Sequence, residues 1–161
     1  MAASADIFDR LKQDHDRHRD LLEKLEGAAE KERGPLFEQL TVELKSHAAA
    51  EEQALYSTMM RKPQTTDETR HSVAEHHDIE VALNDLAATD LFSDEWTEKF
   101  KDLRHDYLHH IDEEEEEHFP DFSRYLTDAD ETHMRDVFER RKRAEAAHAE
   151  VTPERKEDAK E

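Results

Sequence analysis

The sequence predicts an all-α protein, an antiparallel up-down-up-down four-helix bundle with an additional C-terminal helix. Three observations carry that prediction. Only two glycines and four prolines interrupt 161 residues, and the segments between them are rich in Ala, Leu, Glu, Lys and Arg, all good helix formers. Apolar residues recur at alternating steps of three and four, which keeps them on one face of a helix. Four segments of similar length are joined by short connections, as in bundles whose neighbouring helices run antiparallel. The 35% apolar share alone would suit a disordered chain, so it is the periodicity that argues for a packed one.

Each element follows from local signals. Helix one starts after Ser4 as N-cap, with Asp6 near the positive end of the dipole, and runs until Gly34-Pro35 breaks it. Pro35 suits the first turn of helix two, which continues through Met60 and ends before Pro63 in the polar turn RKPQTTD. Helix three spans about Asp67 to Ala88. Ser93 caps helix four, which runs from Asp94 toward Phe119 before Pro120. Thr127 caps a last helix with Asp130 and Glu131 in its first turn. The bundle is thus expected over residues 1–126, the C-terminal helix over 127–150, and a charged, disordered tail over 151–161.

Composition narrows the function classes. Forty-three acidic against 23 basic residues give a net charge of −20, which repels phosphate backbones and anionic lipid heads, so neither nucleic acid nor membrane is an expected partner. No apolar run reaches the roughly 20 residues of a membrane span, and Met1 to Ala5 begins no export signal; a cytoplasmic protein is expected. Zero cysteines exclude disulfides, thiolate ligands and a thiol nucleophile, which leaves nitrogen and oxygen donors for any metal. Twelve histidines supply the commonest transition-metal ligand.

The inward stripes then place those histidines. Helix one gives Phe8, Leu11, His15, His18, Leu22 and Leu25; helix two gives Phe37, Leu40, Leu44, His47, Glu51, Leu55 and Met59. Helix three passes through Val73, His76, Glu80, Leu83 and Ala87, flanked by Ile79 and Leu86; helix four through Trp96, Phe100, Leu103, Tyr107, His110, Glu114 and His118. In all four, ionisable groups replace apolar ones halfway along. Burying Glu51 and Glu114 costs several kcal/mol each unless they are paired or coordinated, and no Lys or Arg lies on the central parts of the stripes. A bound cation is the simplest compensation. In His47 to Glu51 and in His110 to Glu114 the two donors stand about 6 Å apart along one face, close enough to share an ion. His15 lies 19 residues before Gly34 and Glu51 lies 17 after it, so these donors should meet near one depth, whereas His110 falls about a turn deeper from its own loop. Only Glu114 of the acidic run Asp112 to Glu117 falls on the stripe; Glu113, Glu116 and Glu117 read as solvated surface. His18 is either a donor behind the site or a core residue, Tyr107 reads as a core residue one turn before His110 and within reach of a hydrogen bond to the site, His118 as a partly exposed packing residue, and His71, His77, His105, His109, His133 and His148 fall on the surface.

On these residues the chain resembles the hemerythrin-like HHE cation-binding domains. Their pattern is a lone His on helix one, HxxxE on helix two, a His on helix three and HxxxE on helix four, matching His15, His47 with Glu51, His76, and His110 with Glu114. An aromatic residue nine positions after the ligand His in HAAAEEQALY and HHIDEEEEEHFP selects His110 over His109, and comparison of His76-to-Leu86 with His15-to-Leu25 prefers His76 over His77.

The resemblance implies a non-haem, oxygen-bridged di-iron centre, with His15 and His47 serving one iron, His76 and His110 the other, and Glu51 and Glu114 bridging. Oxygen-carrying hemerythrins have HxxxH on helix three, whereas here Glu80 follows His76 and is counted with the metal-site residues as an added anionic donor. Such a set favours ferric iron and points away from reversible oxygen carriage. The expected ligand is oxygen, peroxide or nitric oxide, with catalase-like or peroxide-reducing activity possible and a role in handling or sensing iron and oxidative stress. Manganese or zinc also suits His and carboxylate donors. Iron storage or sensing without turnover, and a metal-free helical interaction module, are the alternatives. A ferritin-like Glu-x-x-His set fits less well: Glu115 to His118 has Glu115 one position off the stripe, and Glu68 to His71 lies at a helix end. Removing the ion is expected to lower the melting temperature, and more so as pH falls.

Overall fold

The computed structural model describes residues 6–149, which form five helices and no strand. Helix α1 is Ile7–Glu26, capped by Asp6, whose carboxylate accepts the Asp9 N–H at 2.8 Å; Ser4 lies outside the described residues. Helix α2 is Glu30–Glu51, and it continues through a π-helical turn, Glu52–Tyr56, into a last turn, Ser57–Met59. Helix α3 is Thr66–Ala87. Helix α4 is Asp94–Glu113, capped by Ser93 as the sequence predicts, and runs on through a second π-helical turn, Glu114–His118, to Phe119–Ser123. Helix α5 is Asp128–Ala149. Thr127 and Asp130 cap its start reciprocally, the Asp130 N–H donating to the Thr127 hydroxyl and the Thr127 N–H to the Asp130 carboxylate. The predicted tail, 151–161, lies outside the described residues.

The first connection differs from expectation. The chain breaks at Gly27 to Ala29, and Gly34-Pro35 sits inside α2. Tertiary contacts hold that early start: Arg33 Nη1 donates to the Leu91 carbonyl at 2.8 Å, and its guanidinium lies 5.3 Å over the Trp96 ring. Pro35 is exposed, so its missing N–H costs one hydrogen bond on the solvent side. Depth matching counted from Gly34 therefore has no structural basis. Side-chain packing sets the stagger.

Two apolar cores fill the molecule. One joins Leu22, Leu25, Leu40, Leu44, Leu83, Trp96, Phe100 and Leu103; the other joins Phe8, Leu11, Leu55, Met59, Phe119, Phe122 and Phe138 of α5. Along each of α1, α2 and α4 the polar stripe residues fall between members of these two cores. The buried histidines and glutamates thus form a layer between them.

Both π-helical turns begin immediately after or at a stripe glutamate. Five residues close each turn, so the aromatic five positions beyond the glutamate returns toward its face. Tyr56 thereby lies over the His76 ring at 5.2 Å, and Phe119 stacks on His15 at 5.9 Å with an interplanar angle of 16°.

Candidate metal centre

His15, His47, His76 and His110 are all buried, and so are Glu51 and Glu114, each with 0% exposure. The rings meet in two pairs, His15 with His47 at 5.2 Å and His76 with His110 at 4.9 Å between centroids. Each glutamate spans both pairs through one oxygen. Glu51 Oε1 lies 3.4 Å from His47 Nε2 and 3.2 Å from His76 Nε2. Glu114 Oε1 lies 3.4 Å from His15 Nε2 and 3.5 Å from His110 Nε2. His110 therefore stands level with the other donors, not a turn deeper.

Behind every ring stands a carboxylate. The Nδ1–H groups of His47, His76, His110 and His15 donate to Asp14, Glu52, Glu75 and Glu115 at 2.8, 2.8, 2.7 and 2.7 Å. These bonds close a circuit around the bundle: α1 holds the imidazole of α2, α2 that of α3, α3 that of α4, and α4 that of α1. Asp14 and Glu75 precede a stripe histidine, whereas Glu52 and Glu115 follow a stripe glutamate. That alternation is what an up-down-up-down order requires, because turning a helix over reverses the sense in which the next residue points. Fixing Nδ1 as donor turns each Nε2 inward as a free nitrogen donor for an ion.

The interior side of this arrangement is left unpaired. His15 Nε2, His47 Nε2, both oxygens of Glu51 and Oε1 of Glu114 are buried without a hydrogen-bond partner. Donors each ~2.1 Å from a shared ion stand roughly 3.0 to 3.4 Å apart, close to the Nε2–Oε1 separations here. Glu51, His76, His110 and Glu114 each offer an atom to a cluster whose members all lie within 4.8 Å of one another. The residues present fit a multivalent cation.

Titration behaviour follows from the same geometry. Burial alone would lower the imidazole pKa values, but the neighbouring carboxylates of Glu114 and Glu115 push His15 up to about 9, and those of Glu51 and Glu52 push His76 up to about 10. Burial alone would raise Glu51, but His47 and His76 hold it well below the usual carboxylate range. Protons fill the place of a cation when none is bound.

One comparison with known proteins matches this pattern. A family model described as the hemerythrin HHE cation binding domain covers residues 6–122. The chain belongs to that family. No curated protein and no solved structure matches it. No helix among the described residues is long and apolar enough to cross a membrane.

Within this HHE domain, the predicted Glu80 does not join the cluster. It is exposed on α3, where Ile79 takes the inward position and completes a buried stripe of Thr69, Ser72, His76, Ile79, Leu83 and Leu86. Glu80 instead lines a cavity of about 440 Å³ between α2 and α3, whose wall also includes His47, Ala48, Ala49, Glu52, His76 and Tyr107. His18 is buried behind His47: its Nε2 donates to Glu43 at 3.2 Å and its Nδ1 accepts the Tyr107 hydroxyl at 2.7 Å. Burial above all pushes its pKa down to about 3, so the ring is neutral. His118 is buried as well, bonded to Ser72 at 3.1 Å, and not partly exposed as predicted. His71, His77, His105, His109, His133 and His148 are exposed. The four carboxylates of the circuit and Tyr56, whose hydroxyl donates to Glu114 Oε2, were not read from the sequence. Each acid is adjacent in sequence to a stripe donor, a signal that was present and masked by the abundance of acidic residues.

Proposed function

We propose that this domain holds a non-haem di-iron centre that binds or reduces a small oxidant, oxygen, peroxide or nitric oxide. His15 and His47 would serve one iron, His76 and His110 the other, with Glu51 and Glu114 shared between them. The observation that carries this reading is the set of buried donor atoms left without hydrogen bonds between four imidazoles that are anchored from behind. A metal-free interaction module would carry those buried groups at a cost that only bound protons offset, and would gain nothing from them.

When bound, the iron pair would supply electron transfer and open coordination positions. The chain's own residues do the rest. Asp14, Glu52, Glu75 and Glu115 orient the imidazoles and raise their basicity. Tyr56 fixes the second oxygen of Glu114. The cavity between α2 and α3 is open to solvent at one side and reaches His47 and His76, which suits entry of a small molecule. The two apolar cores limit water elsewhere. A role in handling or sensing iron and oxidative stress is consistent with this chemistry.

Metal analysis of the full chain, loaded with ferrous iron and then exposed to air, tests the reading. Two irons per chain and near-ultraviolet charge-transfer absorption are expected. Absence of both in protein that remains folded would refute it.

A further inference from the structure

The carboxylate circuit is not electrostatically even. Asp14, behind His47, has Arg10 Nη1 and Lys142 Nζ on its other oxygen at 2.6 and 2.8 Å. Glu115, behind His15, has Arg19 Nη2 at 3.1 Å. Behind His76 and His110 the picture is different. Among the described residues neither Glu52 nor Glu75 forms an ion pair with Lys or Arg; Glu75 meets only the half-exposed His71, at 3.2 Å.

Among the described residues, three permanent cations thus back the carboxylates behind His15 and His47, and no such ion pair backs those behind His76 and His110. A cation on the far oxygen of a carboxylate draws charge away from the hydrogen bond on its near oxygen, so the imidazole it holds becomes a poorer donor. Geometry runs in the same direction, because the four-donor cluster comprises Glu51, His76, His110 and Glu114, whereas His47 falls in a separate buried group of three with Asp14 and His18 that includes neither glutamate.

Lys142 belongs to α5, beyond residue 122, where the family match ends. The same helix carries Phe138, which meets the His47 ring edge-on at 5.6 Å, and Glu139, which takes Arg10 Nε at 3.0 Å. The C-terminal helix therefore bears on one end of the centre through His47 and Asp14.

Resting on the di-iron reading, we infer that the two ends are inequivalent: the His76 and His110 end fills first and holds its ion tightly, while the His15 and His47 end holds an exchangeable ion that the C-terminal helix weakens through Lys142. Lys142 is a positioning residue acting through Asp14. The centre then keeps one resident ion and trades the other.

Ferrous iron added without oxygen to the metal-free full chain, in competition with a chelator, tests this. Two binding steps of unequal affinity are expected. Lys142→Met should strengthen the weaker step about three- to tenfold and leave the tighter one unchanged, a smaller effect than the ~10 to 100-fold that follows loss of a ligand's own hydrogen-bond partner. Lys142→Arg should behave as wild type. In the metal-free protein, nuclear magnetic resonance of the imidazole nitrogens should show Lys142→Met moving His47 and leaving His76 in place, a readout that a purely structural role would not give. Two steps of equal affinity, an unchanged weaker step in Lys142→Met, or a shift of both steps together would overturn the inference while leaving the di-iron reading intact. A folded chain that takes up no iron would overturn both.

Discussion

Tyr56 donates its hydroxyl to Oε2 of Glu114, joining α2 to α4 across the bundle, and both side chains are buried. Burial and the adjacent Glu114 charge hold the Tyr56 pKa well above its ordinary value, so the phenol remains a donor. Tyr56→Phe would leave a buried carboxylate oxygen without its partner, at a cost of about 2 kcal/mol in the metal-free protein. The loss should be smaller once a cation compensates Glu114. Denaturant melts of both forms check this, and equal losses would count against a shared role for Glu114.

Metal should stabilise the fold increasingly as pH rises. His15 and His76 have folded-state pKa values near 9 and 10, above the ordinary 6.5, so their protons add stability that is full below 6.5 and lost as pH climbs through about 9 and 10. The metal-free protein weakens over that window, whereas the loaded one has exchanged those protons for an ion. The gap in melting temperature should widen from pH 6.5 to 9. This is the opposite direction from the expectation read from sequence, in which loss of the ion costs more as pH falls. The reason is that the carboxylates behind and between the imidazoles stabilise their protonated forms. A gap that narrows with pH would contradict the geometry.

The junction of α1 and α5 offers a test away from the centre. Burial first, then contact with Asp6, pushes Glu131 up to about 7. A raised folded-state pKa favours the fold below the unfolded value near 4.5 and loses that contribution as pH rises through 7. Glu131→Gln should raise the melting temperature at pH 8 and change it little at pH 5. Equal effects at both pH values would show that the carboxylate does not titrate with the fold.

Access through the cavity between α2 and α3 can be closed from its wall. Ala48 and Ala49 are half-buried and line a space of about 440 Å³ that reaches His47 and His76. Ala49→Phe should slow the reaction of the loaded protein with peroxide several-fold while leaving its metal content unchanged. Stopped-flow absorbance measures the rate. An unaltered rate would mean that the oxidant enters elsewhere.

The sequence by itself determined that the chain is helical and which faces of α1, α2 and α4 are inward, because a period of 3.6 residues is a local property that apolar residues report directly; on α3 the buried face is rotated from the predicted one, away from Glu80 and Ala87. It also picked out six side chains that the fold buries and brings together, His15, His47, Glu51, His76, His110 and Glu114, and separated six exposed histidines from them. Other features depended on neighbours. The start of α2 is held by Arg33 on Leu91, in a loop 58 residues away, and on Trp96 in the first turn of α4. Glu80 fails to face the centre because Ile79, one position earlier, fills the core. The level of His110, the two π-helical turns and the circuit of Asp14, Glu52, Glu75 and Glu115 likewise belong to the assembled bundle. One residue is 100° on a helix, so whether a side chain points at the axis or at the next helix turns on rotation and stagger. Those are set by packing between segments far apart in the chain, which no local period records.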